Sequence, residues 1–279
     1  MARAEVNSSV KIVEDAKPML SVFDGEMTPA AAKQSPGARF RVADWMACGP
    51  NVEPRKAWIA RLHGVTNPQR DTARAEVNLA PILRRRISKI GQLAFSACYS
   101  LPEQRTARFV FCSRHGELDR TLRILRSLAA GEPISPADFA LSVHNALVGL
   151  LSIAWGNTAG HTAIAAGADS FAYGLVEAVA GLEMGAADSV MLVYFDDLLP
   201  PPYDEVGDGV ETCVALAMLL EPARNDGHDF ALELEPRDGA LRPPSASAQA
   251  LDFISFMLSG EREASSIGER VQWRWRRCA

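Results

Sequence analysis

The sequence predicts an α/β fold, a mainly parallel sheet layered with helices on both faces. Three observations carry this expectation. Arg108–Cys112, Ser189–Phe195 and Thr212–Leu220 are short, nearly unbroken apolar runs, the pattern of strands covered on two sides. Between and beside them, at about Glu117–Ala130, Val143–Ala154 and Phe171–Gly185, lie longer stretches with helical spacing of apolar residues. The resulting βαβαβ order favours parallel pairing through helical crossovers.

Taken in order, Met1–Gly37 mixes charge with Pro18, Pro29 and Pro36 and reads as a mobile leader, so the folded domain is expected at 38–279. From Ala38 to Trp45, the placing of Phe40, Val42 and Trp45 approximates a period of two and predicts a strand, stopped by Gly49 and Pro50. Asn51–Asn78 is polar and turn-rich and receives no element. Asn78 is then a plausible cap for a single helix with Pro81 near its first turn and Leu83, Ile87, Ile90, Ala94 and Ala97 on one stripe. The helix at Glu117–Ala130 is expected to turn Leu118, Leu122, Leu125 and Leu128 inward and to end at Gly131. Ser135-Pro136 starts a further turn before the apolar helix Val143–Ala154.

The stretch His161–Ala178 reads as a buried strand, Thr162–Ala166, turning abruptly into the helix Phe171–Gly185, with Asp169 and Ser170 supplying N-cap chemistry. Such a junction is where α/β enzymes often place a nucleophile. Here the turn holds Gly167 and Ala168. Beyond it, Asp196–Gly209 is an acidic, proline-rich loop, Phe230–Leu234 a strand and Ser245–Met257 a helix. Val271–Arg277 alternates Val271, Trp273 and Trp275 with polar neighbours, as an edge strand packed on the body does.

Composition narrows the function classes. A chain of 279 residues with 48% hydrophobic and 23% charged residues is an ordinary globular protein. Its formal net charge of −5 makes no general case for nucleic acid, which demands a clustered cationic surface. The long apolar stretch Ala163–Gly185 is broken by Asp169, Glu177 and Glu183, so no membrane span is expected. The five cysteines, Cys48, Cys98, Cys112, Cys213 and Cys278, show no C-x-x-C spacing and no secretory signal precedes them, which predicts reduced thiols and a cytoplasmic protein.

For chemistry the chain offers pieces. Cys112 with His115 reads either as a thiol–imidazole pair or as a buried small side chain followed by a loop histidine. A small acyltransferase or thioesterase built on Cys112 with His115 or His144 is therefore the alternative reading of function. His144 and His161 have no third ligand at metal-binding spacing, and Gly156–Gly167 lacks the glycine order of a phosphate loop. Neither a metal nor a cofactor is expected.

Two segments carry a resemblance. Ser135-Pro136-Ala137-Asp138-Phe139, Val143-His144-Asn145-Ala146, Gly149, Trp155-Gly156 and Thr162-Ala163-Ile164-Ala165-Ala166-Gly167-Ala168 run in step with the N-terminal half of β-ketoacyl synthases, in the stretch leading to the active-site cysteine. Pro202–Val210 with Cys213–Glu221 resembles a later segment of the same family. The resemblance implies a thiolase-like fold. It also exposes departures: Ala168 stands at the family's cysteine position and cannot form a thioester. After Glu221 the family's two histidines, catalytic lysine and glycine-rich loop find no counterpart, the only histidine being His228.

The short ketoacyl-synthase-like factors of aryl-polyene and similar type II polyketide systems are the nearest in pattern. That likeness implies a chain-length factor: a pseudoenzyme that forms a heterodimer with a full-length ketosynthase, shapes its acyl tunnel in polyketide or fatty-acid-like biosynthesis, and meets an acyl carrier protein through the complex. It makes Asp138, Phe139, Leu141, Val143 and Leu147 the candidates for tunnel wall or interface. The basic run Arg84, Arg85, Arg86 and Lys89 reads either as a dock for an acidic partner such as the carrier protein or as a solvated helix face. Val143–Ala154 and Thr162–Leu182 are apolar enough that they are expected to need cover from another layer or subunit.

Overall fold

The computed structural model describes residues 37–49, 77, 79–102, 104–205, 213–236 and 249–278. The leader expected at 1–37, except for Gly37, lies outside these residues, as does nearly all of the stretch 51–78.

Eight strands form one sheet in the order β3-β2-β4-β5-β1-β6-β8-β7. They are β1 (Ala38–Cys48), β2 (Arg108–Cys112), β3 (His161–Ile164), β4 (Val190–Asp196), β5 (Val214–Pro222), β6 (Phe230–Pro236), β7 (Glu263–Ile267) and β8 (Val271–Arg277). The parallel pairing predicted from the βαβαβ order holds where helices cross over, β2 with β3 and β2 with β4. Every other pair is antiparallel. The sheet is thus mixed: a parallel third at one end, extended by strands whose connections carry no crossover helix on one side.

Among the described residues seven α-helices flank it: α1 (Pro81–Arg84), α2 (Lys89–Tyr99), α3 (Leu118–Ala130), α4 (Pro136–Leu141), α5 (Ala146–Trp155), α6 (Ser170–Glu183) and α7 (Gln249–Ser259). Strand β4 explains the two-layer arrangement. All its residues are buried, and they alternate between two cores. Val190, Leu192 and Tyr194 meet Phe171, Leu175 and Val179 of α6 and Phe253 of α7, while Met191, Val193 and Phe195 meet Phe95 of α2 and Leu151 of α5. A continuous apolar strand needs both covers.

Several expectations are corrected. The single helix from Asn78 is two, because Ser88 accepts the Gly91 N–H at 3.0 Å and starts a new helix. The break frees the Arg86 carbonyl, which accepts from Arg120 of α3. On α3 itself only Leu122 of the predicted leucine stripe is buried, and Leu125 and Leu128 are 46% and 55% exposed. The reason is position: α3 packs chiefly on α4 and not on the sheet. Strand β8 is not an edge, since β7 lies outside it and both Trp273 and Trp275 are fully buried. Helix α6 needs no foreign cover, for its apolar face is filled by its own sheet, whereas Ile153 of α5 is 70% exposed.

Candidate functional site

The strand-to-helix junction is formed, but its strand is the half-buried edge strand β3, ending at Ile164, and not a buried one, because no strand lies beyond it among the described residues. Its capping is also different. Gly167 takes a left-handed φ of 58°, where a side chain would be strained. Ser170, the first residue of α6, closes the turn: its hydroxyl accepts the Ala166 N–H at 2.9 Å and donates to the Gly167 carbonyl at 2.8 Å. Asp169 occupies the cap position without a side-chain cap bond. Its carboxyl turns inward instead.

There Asp169 is 3% exposed and gathers three donors from distant parts of the chain. Oδ1 accepts from Gln249 Nε2 of α7 at 2.6 Å and Trp273 Nε1 of β8 at 2.9 Å, and Oδ2 accepts the Glu269 N–H at 2.8 Å. Tyr173 of α6 packs edge-on against Trp273, with ring centroids 5.0 Å apart. The tip of the β7–β8 hairpin, Gly268-Glu269, is thereby fastened over the turn, and Glu269 Oε1 accepts the Ala168 N–H at 2.8 Å. Replacing Asp169 by alanine orphans two buried donors, Gln249 Nε2 and Trp273 Nε1, and the part-buried Glu269 N–H. The expected cost is about 3 kcal/mol, seen as a fall in Tm of roughly 6 °C or more in thermal unfolding; an unchanged Tm would show that the network is incidental.

The loop after β2 is ordered by a second buried carboxyl. Asp196, at the end of β4 and fully buried, accepts from the Ser113 hydroxyl at 3.0 Å and from the backbone N–H groups of Arg114 and His115 at 2.9 and 2.8 Å. The same loop brings His144 against Gly116. Cys112 does not join this polar group. It is 1% exposed and its Sγ points to the Val193 carbonyl at 3.5 Å. Burial pushes the thiol well above its ordinary pKa, and the charge of Asp196 pushes the same way. This matches the other reading of Cys112, a buried small side chain, since the thiolate is the reactive form and burial opposes it.

The tunnel candidates separate by exposure. Phe139, on α4, is 66% exposed and Val143 is 49% exposed. Leu141 is partly buried against the core. Leu147, at 2%, is inside the chain's own core, packed with α2, and is left to packing. Asp138 is bonded to Arg120 at 3.1 Å and Arg123 at 2.9 Å, and the Arg123 contact, aided by Arg120, holds its carboxyl below the ordinary range. Helix α4 is also capped by Ser135, whose hydroxyl accepts the Asp138 N–H. An open groove of about 400 Å³ beside it is lined by the charged side chains Arg123, Arg126, Glu132 and Asp138 together with Ile124 and Ala130. Sequence reading missed Glu269, Gln249 and Trp273 as parts of the turn. The Gly268-Glu269 pair between strand-like runs signals a hairpin, but not what its tip touches.

Among the described residues no group of three or more His, Cys, Asp or Glu is placed to hold a metal ion, and no helix is long and apolar enough to cross a membrane.

A mixed sheet between helical layers, with a glycine-bearing strand-to-helix turn at the end of its parallel strands, defines a thiolase-like fold. Within that class the chain belongs to the β-ketoacyl synthase family: the model of the "Beta-ketoacyl synthase, N-terminal domain" matches residues 56–276. No curated protein matches the chain. Among solved structures it is similar to a chain of the complex of a ketosynthase (ApeO) with its chain length factor (ApeC) from Xenorhabdus doucetiae, at 30% identity and a TM-score of 0.72, covering 85% of this chain and 99% of that one. It shares the fold of the ishigamide ketosynthase/chain length factor, at 15% identity and a TM-score of 0.55, over 72% of this chain and 67% of that one. The same holds for a β-ketoacyl synthase from Burkholderia phymatum STM815, at 11% identity and a TM-score of 0.52, over 80% and 71%.

Proposed function

We propose that this chain is a chain-length factor: a non-catalytic ketosynthase-like subunit that pairs with an active β-ketoacyl synthase and shapes its acyl tunnel in polyketide, aryl-polyene or fatty-acid-like biosynthesis. The observation that carries the reading is the turn, which keeps the strand–glycine–helix geometry of a nucleophile site while holding Ala168 in place of a nucleophile. An alanine has no lone pair to attack a thioester. The 30% identity to a chain of a ketosynthase/chain-length-factor complex supports it.

The partner is proposed to sit at the β3 end of the sheet. Among the described residues no strand lies beyond β3, so one side of its backbone is unpaired. Thr162 and Ala163 are small, and Ala163 and Ile164 are only partly covered. An uncovered apolar edge invites addition of another strand. Exposed Ile153, on a helix that packs on β3, adds apolar surface there. Phe139 and Val143 are the side chains proposed to reach the tunnel, with Asp138 and Leu141 positioning their segment. The acyl carrier protein would meet the assembled pair, in the cytoplasm, and 38–279 would act as one domain.

The test is co-expression with a full-length β-ketoacyl synthase from the same organism. The pair is expected to co-purify and to make a product of defined length that the ketosynthase alone does not make. A ketosynthase whose activity and product are the same without this chain would overturn the proposal.

A further inference from the structure

We infer that Glu269 is a built-in plug of the nucleophile turn, so that the chain is closed to acyl chemistry by a second device besides Ala168. The hairpin tip grips the turn from two sides. The Glu269 carboxylate takes the Ala168 N–H at 2.8 Å, while the Glu269 N–H donates to Asp169 Oδ2 at 2.8 Å. A backbone N–H at this place in a strand-to-helix turn is the kind of donor that stabilises the oxyanion of an acyl intermediate. In this chain a carboxylate oxygen from the same chain already occupies it. The approach is close: a Cβ on Gly167 would meet the Glu269 carboxylate, and one on Gly268 would collide with Asp169 Oδ1 and Trp273 Nε1. The backbone of the tip is held down from beneath by the buried Asp169–Gln249–Trp273 cluster, which places the exposed Glu269 side chain over the turn.

The inference concerns the chain by itself and stands apart from whether a ketosynthase binds it. Its consequence is that restoring a thiol at the turn does not restore a reactive site. The thiol would lie beside a carboxylate, whose field opposes the thiolate, and the adjacent donor would remain taken.

The experiment compares Ala168→Cys with Ala168→Cys/Glu269→Gln and Ala168→Cys/Glu269→Ala in the full chain. Each is treated with iodoacetamide and read site by site by peptide mass spectrometry. Cys278, the cysteine that is not buried, serves as the reference in every sample. The alkylation rate at position 168 is expected to rise at least about tenfold from the single variant to the Glu269→Ala double variant, the thiolate gain of one pKa unit. The Glu269→Gln variant, which keeps an acceptor but loses the charge, is expected to fall between, with the Cys278 rate unchanged. Equal rates at position 168 in all three would overturn the plug. Labelling of buried Cys98 and Cys112 would reveal a variant that has unfolded. If that is Glu269→Ala, the Glu269→Gln comparison decides: a faster rate upholds the plug and an unchanged one overturns it.

Discussion

Replacing Ala163 by proline is expected to abolish co-purification with the ketosynthase while leaving this chain folded. The backbone alternation of β3 gives the reason. The Gly160 and Ile164 carbonyls accept from the Phe109 and Ser113 N–H groups of the neighbouring β2 side. Backbone groups of a strand alternate in direction, so His161, Ala163 and Ala165 turn theirs away from β2, toward the unpaired edge. A proline at 163 removes an outward donor and places its ring in the path of an added strand, without deleting a bond to β2. Pairing weaker by about a hundredfold, ~3 kcal/mol, is the expected size. A thermal unfolding curve checks the fold and a pull-down checks the pairing. An intact variant that still co-purifies in full yield would move the partner to another face.

Phe139→Ala in the co-expressed pair is expected to shift the main product to a longer chain. Phe139 is a large apolar side chain that its own chain leaves 66% exposed. It does not sit on a loose segment: α4 is capped by Ser135, and its Asp138 is bound by Arg120 and Arg123. A ring held out from a fixed helix is suited to blocking a channel completed by a partner, and its truncation opens room at the tip. Mass spectrometry of the released products reads the shift. An unchanged length distribution would strike Phe139 from the gate and leave Val143 as the side chain to test.

All the strands but β7, and most helices, were legible in the sequence because their signals are local. The unbroken apolar run of β4 announces burial on two faces, and the Gly167-Ala168 turn announces both a sharp junction and a missing nucleophile. Where reading failed, the deciding contact was far away in the chain. Leu125 and Leu128 have helical spacing whether α3 covers a sheet or lies at its margin. Trp273 and Trp275 alternate alike in an edge strand and in one covered by β7, whose own Glu-Ala-Ser-Ser-Ile run has no alternation to betray it. Cys112 followed by His115 looks like a pair in one dimension, yet successive positions of a strand point to opposite faces, and β2 turns the thiol into the core.

By itself, then, the sequence determined the layered α/β class, the position of the turn and the loss of its cysteine, since each rests on residues within a turn or two of one another. Only the tertiary structure decided which strands, β3 and β7, lie at the edges of the sheet, which apolar side chains stay outside and what occupies the turn. Asp169 does not make the capping bond its spacing predicts because Gln249, Glu269 and Trp273, about 80 to 104 positions away, offer its buried carboxyl three donors that a helix end does not.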